Sequence, residues 1–278
     1  MEAPDNRPNT PPPAGGLVSI WTTWSDWNLL GLFAALLTAD FAIQILIYAQ
    51  WGSYFVPALA GALFGVLMPL LALYLFRGLD VVADFRLGPP DPANLVLAGL
   101  LALTTLVPTS LLAELSLRLF PADPSWAARL QESVPTTDAG RAAALISAAL
   151  VGPLAEEVLF RGLLLRLIER MRGPGTGLVL SAVIFGLIHL QPWLVFGLVG
   201  IGLVLGFVYL ATRSLWACWV THAVHNTIML LILFSQDEVQ TEPSTLTLED
   251  WLWLGVSLLG FSLVVSLLWA RRRRGTGV

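Results

Sequence analysis

Apolar runs of about 17 to 25 residues, each long enough as a helix to cross a hydrocarbon core of roughly 30 Å, recur along almost the whole chain. In lipid no water is available to the backbone, so such a run must satisfy its own N–H and C=O groups and spans as a helix. The runs fall at about 27–49, 53–76, 93–117, 140–165, 175–191, 193–211, 215–234 and 251–270. Composition agrees: the 278 residues are 56% hydrophobic and 12% charged, against roughly 25% charged in a soluble domain. The expectation is an all-α polytopic membrane protein of about eight transmembrane helices, one integral membrane domain over 20–270, with a polar cavity inside the bundle.

Turn chemistry separates the runs: "GPPDP" from Gly88, "PADPS" from Pro121, "RGPGTG" from Arg172 and "QP" at Gln191. Between two of them, Trp126–Val134 mixes Trp126 and Leu130 with Arg129 and Glu132, which predicts a short helix in the interface plane. Residues 1–19 are polar and proline-rich, which predicts a disordered tail and no cleaved leader, so that the first span directs insertion. Every basic residue is arginine. With both termini cytoplasmic, Arg7, Arg77, Arg86, Arg166, Arg170, Arg172, Arg213 and the run Arg271–Arg274 of a basic tail (271–278) fall inside, while Arg118, Arg129 and Arg141 fall outside. The arginine-free loop "SQDEVQTEPSTLTLED" also falls outside. The eleven tryptophans lie mostly near span ends, as interface anchors do. The lone Cys218 excludes an internal disulfide and a cysteine zinc cage, and the net charge of −4 argues against nucleic acid as a partner.

A charged group at bilayer depth costs at least a few kcal/mol, so each is a functional candidate by default. The candidates are Asp40 in the first span, Glu114 in the third, Glu156, Glu157 and Arg161 in the fourth, His189 in the fifth, and His222 and His225 in the seventh. Counted at a rise of about 1.5 Å per residue, Glu156, His189, His222 and Asn226 lie roughly 10 to 20 Å deep, at overlapping levels. Glu157 and Arg161 stand i and i+4 apart and form an ion pair on one face. Glu156 is turned by about 100° from its neighbour and is not served by that arginine. His222, His225 and Asn226 make one polar stripe. Asp40 and Glu114 join no constellation in sequence and are expected to be structural or interfacial.

A glutamate that holds a water beside a histidine is a general-base arrangement, and an Asn carboxamide with a His N–H can donate to the oxyanion of an attacked peptide bond. The same Glu156, His189 and His222 could instead hold one Zn²⁺ or another divalent metal, although no HExxH sequence is present.

"EEVLFR" at Glu156–Arg161, "FGLIH" at Phe185–His189 and "HAVHN" at His222–Asn226 resemble the EExxxR, FxxxH and HxxxN motifs of the type II CAAX prenyl protease and bacteriocin-processing (Abi, CPBP) family of intramembrane proteases. All three occur in order, preceded by Gly152 and Pro153, and the resemblance covers about 140–234. It implies an intramembrane endopeptidase, in many relatives metal-dependent, multi-pass in a bacterial plasma membrane, acting on a membrane-associated peptide or protein. It also implies that Glu156 activates water with His189, that His222 and Asn226 bind the oxyanion, and that Glu157 with Arg161 supports them; His225 falls at a variable motif position as a partner behind the site. Two other readings use the same residues: a non-enzymatic scaffold or bacteriocin-immunity factor keeping the fold, and a proton-coupled transporter, against which the lack of an inverted repeat counts.

Overall fold

A computed structural model describes residues 17–51, 54–236, 238–239 and 242–275. In chain order its main helices are α1 (Asp26–Gln50), α2 (Phe55–Arg77), α3 (Pro92–Leu119), α4 (Pro124–Ser133), α5 (Asp138–Arg172), α6 (Pro174–Ile188), α7 (Pro192–Thr212), α8 (Leu215–Ser235) and α9 (Leu248–Gly275). Seven helices of the described residues, all of these but α4 and α6, are long and apolar enough to cross a membrane. The only extended pairing among the described residues is one parallel bridge, Val18 with Leu79. The chain is therefore all-α and polytopic.

Most boundaries follow from caps legible in the sequence. Asp91, Asp123 and Thr137 accept backbone N–H groups at the starts of α3, α4 and α5, and Pro92 and Pro124 stand where a missing N–H costs nothing. The short α4 lies over the expected interfacial segment. The helix expected over 175–191 is shorter than read: α6 has 15 residues, about 22 Å of rise, because Leu190 takes a positive φ of 55° and Pro192 follows. It ends inside the bundle, at His189.

At the N-terminus, Leu17, Val18 and Ser19 of the tail expected over 1–19 are among the described residues. Val18 exchanges backbone hydrogen bonds with Gly78 (2.8 Å) and Asp80 (3.0 Å), and Ser19 caps the short helix Ile20–Thr23 while donating to Asp84. The rest of the expected tail, 1–16, lies outside the described residues, as do 276–278 of the basic tail, whose first residues continue α9.

Polar contacts sort the helix ends into two faces. On one, Arg170 pairs with Asp26, Arg166 donates to the Asp84 carbonyl, Arg213 grips Glu169 (2.6 Å) and Arg271 binds Asp91 (2.6 Å). On the other, Arg118 holds Glu114 (3.0 Å) and the Ser244 carbonyl, and Gln131 accepts from Val239 N–H (2.9 Å). Of the arginines divided in the sequence, these contacts place Arg166, Arg170, Arg213 and Arg271 together and Arg118 apart from them.

Burial is uneven. Half of the apolar window of α5 is buried, against 11% for α1 and 17% for α9. The innermost layer sets Phe160, Leu163 and Leu165 of α5 against Leu205 and Tyr209 of α7 and Leu215 and Cys218 of α8. Large apolar side chains of α9 such as Leu259 are exposed, as expected of a lipid-facing surface.

Candidate active site

The site is built around irregular turns of α5. Pro153 has no N–H, and the helix before it widens to π-helical pairing over Ile146–Val151, with Gly152 N–H bonded to Ser147 O, five residues back. A Cβ at Gly152 would stand 2.9 Å from that oxygen, so glycine fits there without strain. In this register the donor for Ala148 O would be the proline, which has none. The Asn226 amide of α8 supplies it instead, at 3.0 Å, and Trp219 Nε1 does the same for Leu150 O at 2.8 Å. A second π-helical stretch, Val158–Leu165, follows the two glutamates. The sequence "GP" thus shapes α5 and docks α8 on it.

Glu156 and Glu157 part company as their helical angle requires. Glu157 is fully buried; its Oε1 accepts from Arg161 (3.0 Å) and from His222 Nδ1 (2.8 Å). Arg161, also fully buried, donates a second bond to Gly202 O of α7 (3.0 Å) and lies over the Phe185 ring (4.8 Å). The Glu156 side chain is about one-third exposed and faces a cavity, its Oε2 standing 3.8 Å from His222 Nε2. That separation is too long for a direct hydrogen bond and short enough for both atoms to touch one water.

The cavity has a volume of about 230 Å³ and is lined by Glu156, His189, His222, His225 and Asn226 together with Phe185, Thr109 and apolar residues of α7. Three helices therefore bring the five polar residues read from the sequence to one space. Glu157 and Arg161 stand behind it. His189 closes α6, and its Nδ1 bonds Phe185 O (2.7 Å), one of the carbonyls left open at a helix end. A carbonyl only accepts, so Nδ1 carries the proton and Nε2 keeps a lone pair; the same logic at Glu157 places a proton on His222 Nδ1.

Two contributors were not legible in the motifs as site residues. Thr109 of α3 reaches His225 Nε2 (3.0 Å) and directly follows Pro108, which interrupts the hydrogen bonds of α3. Phe185 sits edge-on to both His189 (4.8 Å) and His222 (5.9 Å). Its i, i+4 spacing to His189 was the available signal. Asp40, read as standing apart, accepts from Gln44 (2.8 Å) and lies within electrostatic reach of Glu156. Glu114 pairs with Arg118 and takes no part in the cavity.

Metal binding was tested on the donor set. Among the described residues no three His, Cys, Asp or Glu side chains come together closely enough to hold an ion. Glu156, His189 and His222 share the cavity without forming such a group, so the divalent metal left open by the sequence does not fit this arrangement.

Comparison with known proteins gives one match. No curated protein and no solved structure matches the chain. The family model described as Type II CAAX prenyl endopeptidase Rce1-like matches residues 138–228, the stretch from the start of α5 to the HxxxN turn of α8. The segment that supplies Glu156, His189, His222 and Asn226 to the cavity is thus the part of the chain that is similar to the Rce1-like type II CAAX prenyl endopeptidases.

Proposed function

We propose that the protein is an intramembrane endopeptidase in which Glu156 activates water against a peptide bond of a membrane-associated substrate. The observation that carries this reading is the asymmetry of the glutamate pair: one carboxylate is consumed by Arg161 and His222, the other is left facing a cavity lined with imidazoles. The Glu156 carboxylate takes a proton from water as the oxygen attacks the carbonyl carbon, and returns it to the nitrogen of the departing amine as the C–N bond breaks. The unprotonated Nε2 of His189 accepts the water's other hydrogen and holds it in line. Asn226 has one amide hydrogen engaged by Ala148 O and a second for the oxyanion.

His222 differs from a simple oxyanion donor. Its Nδ1–H is fixed on Glu157, so Nε2 faces Glu156 and donates only while it carries a second proton. Glu157 and Arg161 act as positioning residues. The arginine-rich face is read as cytoplasmic, which puts both termini on that side.

The test is turnover of a membrane peptide by purified protein. Glu156→Gln, which keeps shape and hydrogen bonding, is expected to lower kcat by about 10²- to 10⁴-fold with the protein still folded in detergent. Unchanged turnover in that variant rejects the reading. Chelator treatment is expected to leave wild-type turnover unchanged, since no three-ligand group is present among the described residues.

A further inference from the structure

A second cavity of about 400 Å³ adjoins the first, and the two share Leu194, Asn226 and Met229 as lining. Those three residues form the partition between them. The second cavity is walled by Tyr54 at the start of α2, Trp126 and Leu130 of α4, Gln191 just past α6, and Leu230 and Leu233 in the last turns of α8. Each of these places is a helix end or connection on the arginine-poor face. At its rim Trp126 stacks on Trp193 (4.9 Å between ring centroids), which ties the interfacial helix to the turn that opens α7.

Toward the opposite face the route is closed. Phe160, Arg161, Leu163 and Leu165 of α5, with Leu205 and Tyr209 of α7, fill the bundle between the cavity and the arginine-rich end, each no more than 1% exposed. The space that shares lining residues with the Glu156 cavity thus lies toward the arginine-poor end. No charged side chain lines the second cavity, whose polar side chains are Tyr54, Trp126, Gln191 and Asn226. Such a wall accepts uncharged side chains and still offers amide groups to a peptide backbone.

We propose that this second cavity is the substrate channel: an extended, uncharged apolar segment of a membrane-anchored polypeptide enters beneath α4 from the arginine-poor side and lies along Leu130, Leu230 and Leu233, with the bond to be cut at Glu156. By the arginine distribution that side is the non-cytoplasmic one. The substrates are accordingly polypeptides whose cleaved segment lies at the outer membrane boundary. The nature of the occupant rests on the peptidase reading, whereas the side of access does not.

Two measurements separate these parts. Cys218 is the only cysteine and is fully buried, so Cys218→Ser gives a background for single cysteines at Leu130, in the channel, and at Val82, on the arginine-rich face. A membrane-impermeant maleimide is expected to label the Leu130→Cys protein in right-side-out vesicles and the Val82→Cys protein in inverted ones. Labelling of Leu130→Cys only in inverted vesicles, or in neither, overturns the assignment of side whether or not the protein is a peptidase.

For the occupant, Leu230→Trp is expected to raise KM for an apolar peptide by about tenfold or more with kcat within about twofold. Leu233→Asp guards against a folding defect: it is expected to move preference toward a peptide carrying arginine in the segment facing α8. Unchanged KM and unchanged preference in both variants, with Glu156→Gln inactive, overturn the channel and leave the peptidase standing. A wild-type protein that cleaves no peptide of either kind overturns the occupant together with the peptidase reading.

Discussion

Two carboxylate–guanidinium pairs sit in opposite settings in this molecule. At the arginine-rich end Arg271 meets Asp91 at 2.6 Å, with both side chains more than 40% exposed; in the bundle interior Arg161 meets Glu157 at 3.0 Å with neither exposed at all. The shorter contact is the less consequential. An exposed pair gains little over its hydration and is screened by salt. The interior pair has no water to fall back on, and each partner carries a further bond, Glu157 to His222 and Arg161 to Gly202 O. Replacing such a pair by apolar residues is often neutral for stability, while breaking one half is not. Its value lies in holding His222 and tying α5 to α7.

Breaking one half of the interior pair is the harshest test of this contrast. Arg161→Met leaves a buried carboxylate without its cation and is expected to cost about 3–5 kcal/mol, read by thermal unfolding in detergent. The double variant Glu157→Leu with Arg161→Met is expected to recover most of that stability while turnover stays at least about 10²-fold down, because His222 has lost the acceptor that fixes its tautomer. Recovery of both would make the pair merely structural. Glu157→Gln separates the roles further: protein folded enough to purify, turnover lowered, and the defect in kcat rather than KM.

The smallest effect belongs to the exposed pair. Asp91→Asn is expected to leave turnover unchanged and thermal unfolding near the wild-type midpoint at neutral pH. The Arg271 guanidinium, with the Ala93 N–H behind it, holds the Asp91 carboxyl below its ordinary value. The sign follows: its contribution is complete above the unfolded value of about 4 and fades as pH falls through the lower folded value. A wild-type minus Asp91→Asn difference that grows with acidification contradicts this assignment.

The sequence was most legible where the local helical period governs. The 100° step between Glu156 and Glu157 sends one to the cavity and the other to Arg161. The i, i+4 spacing of Glu157 and Arg161 becomes a 3.0 Å contact. Turn chemistry marked the breaks between helices, and arginine flanks divided the helix ends into two sets. Legibility failed where a contact depends on how neighbouring helices rotate and where they stop. That His222 would bond Glu157 while only facing Glu156 follows from the setting of α8 against α5. The early end of α6 at Ile188 rests on a positive φ at Leu190, a conformation that a leucine does not announce.

The chain by itself settled that it spans a membrane as helices, because apolar runs in lipid must bond their own backbones, and that three helices carry acid, imidazole and carboxamide groups at similar depth. Tertiary structure decided which of those groups touch. It paired Asn226 with the Ala148 carbonyl left without a donor before Pro153 and brought Thr109 of α3 to His225. The physical reason is that helix formation is satisfied within about four residues of sequence, whereas side chains from different helices meet only after packing has fixed rotation, tilt and the points at which each helix ends.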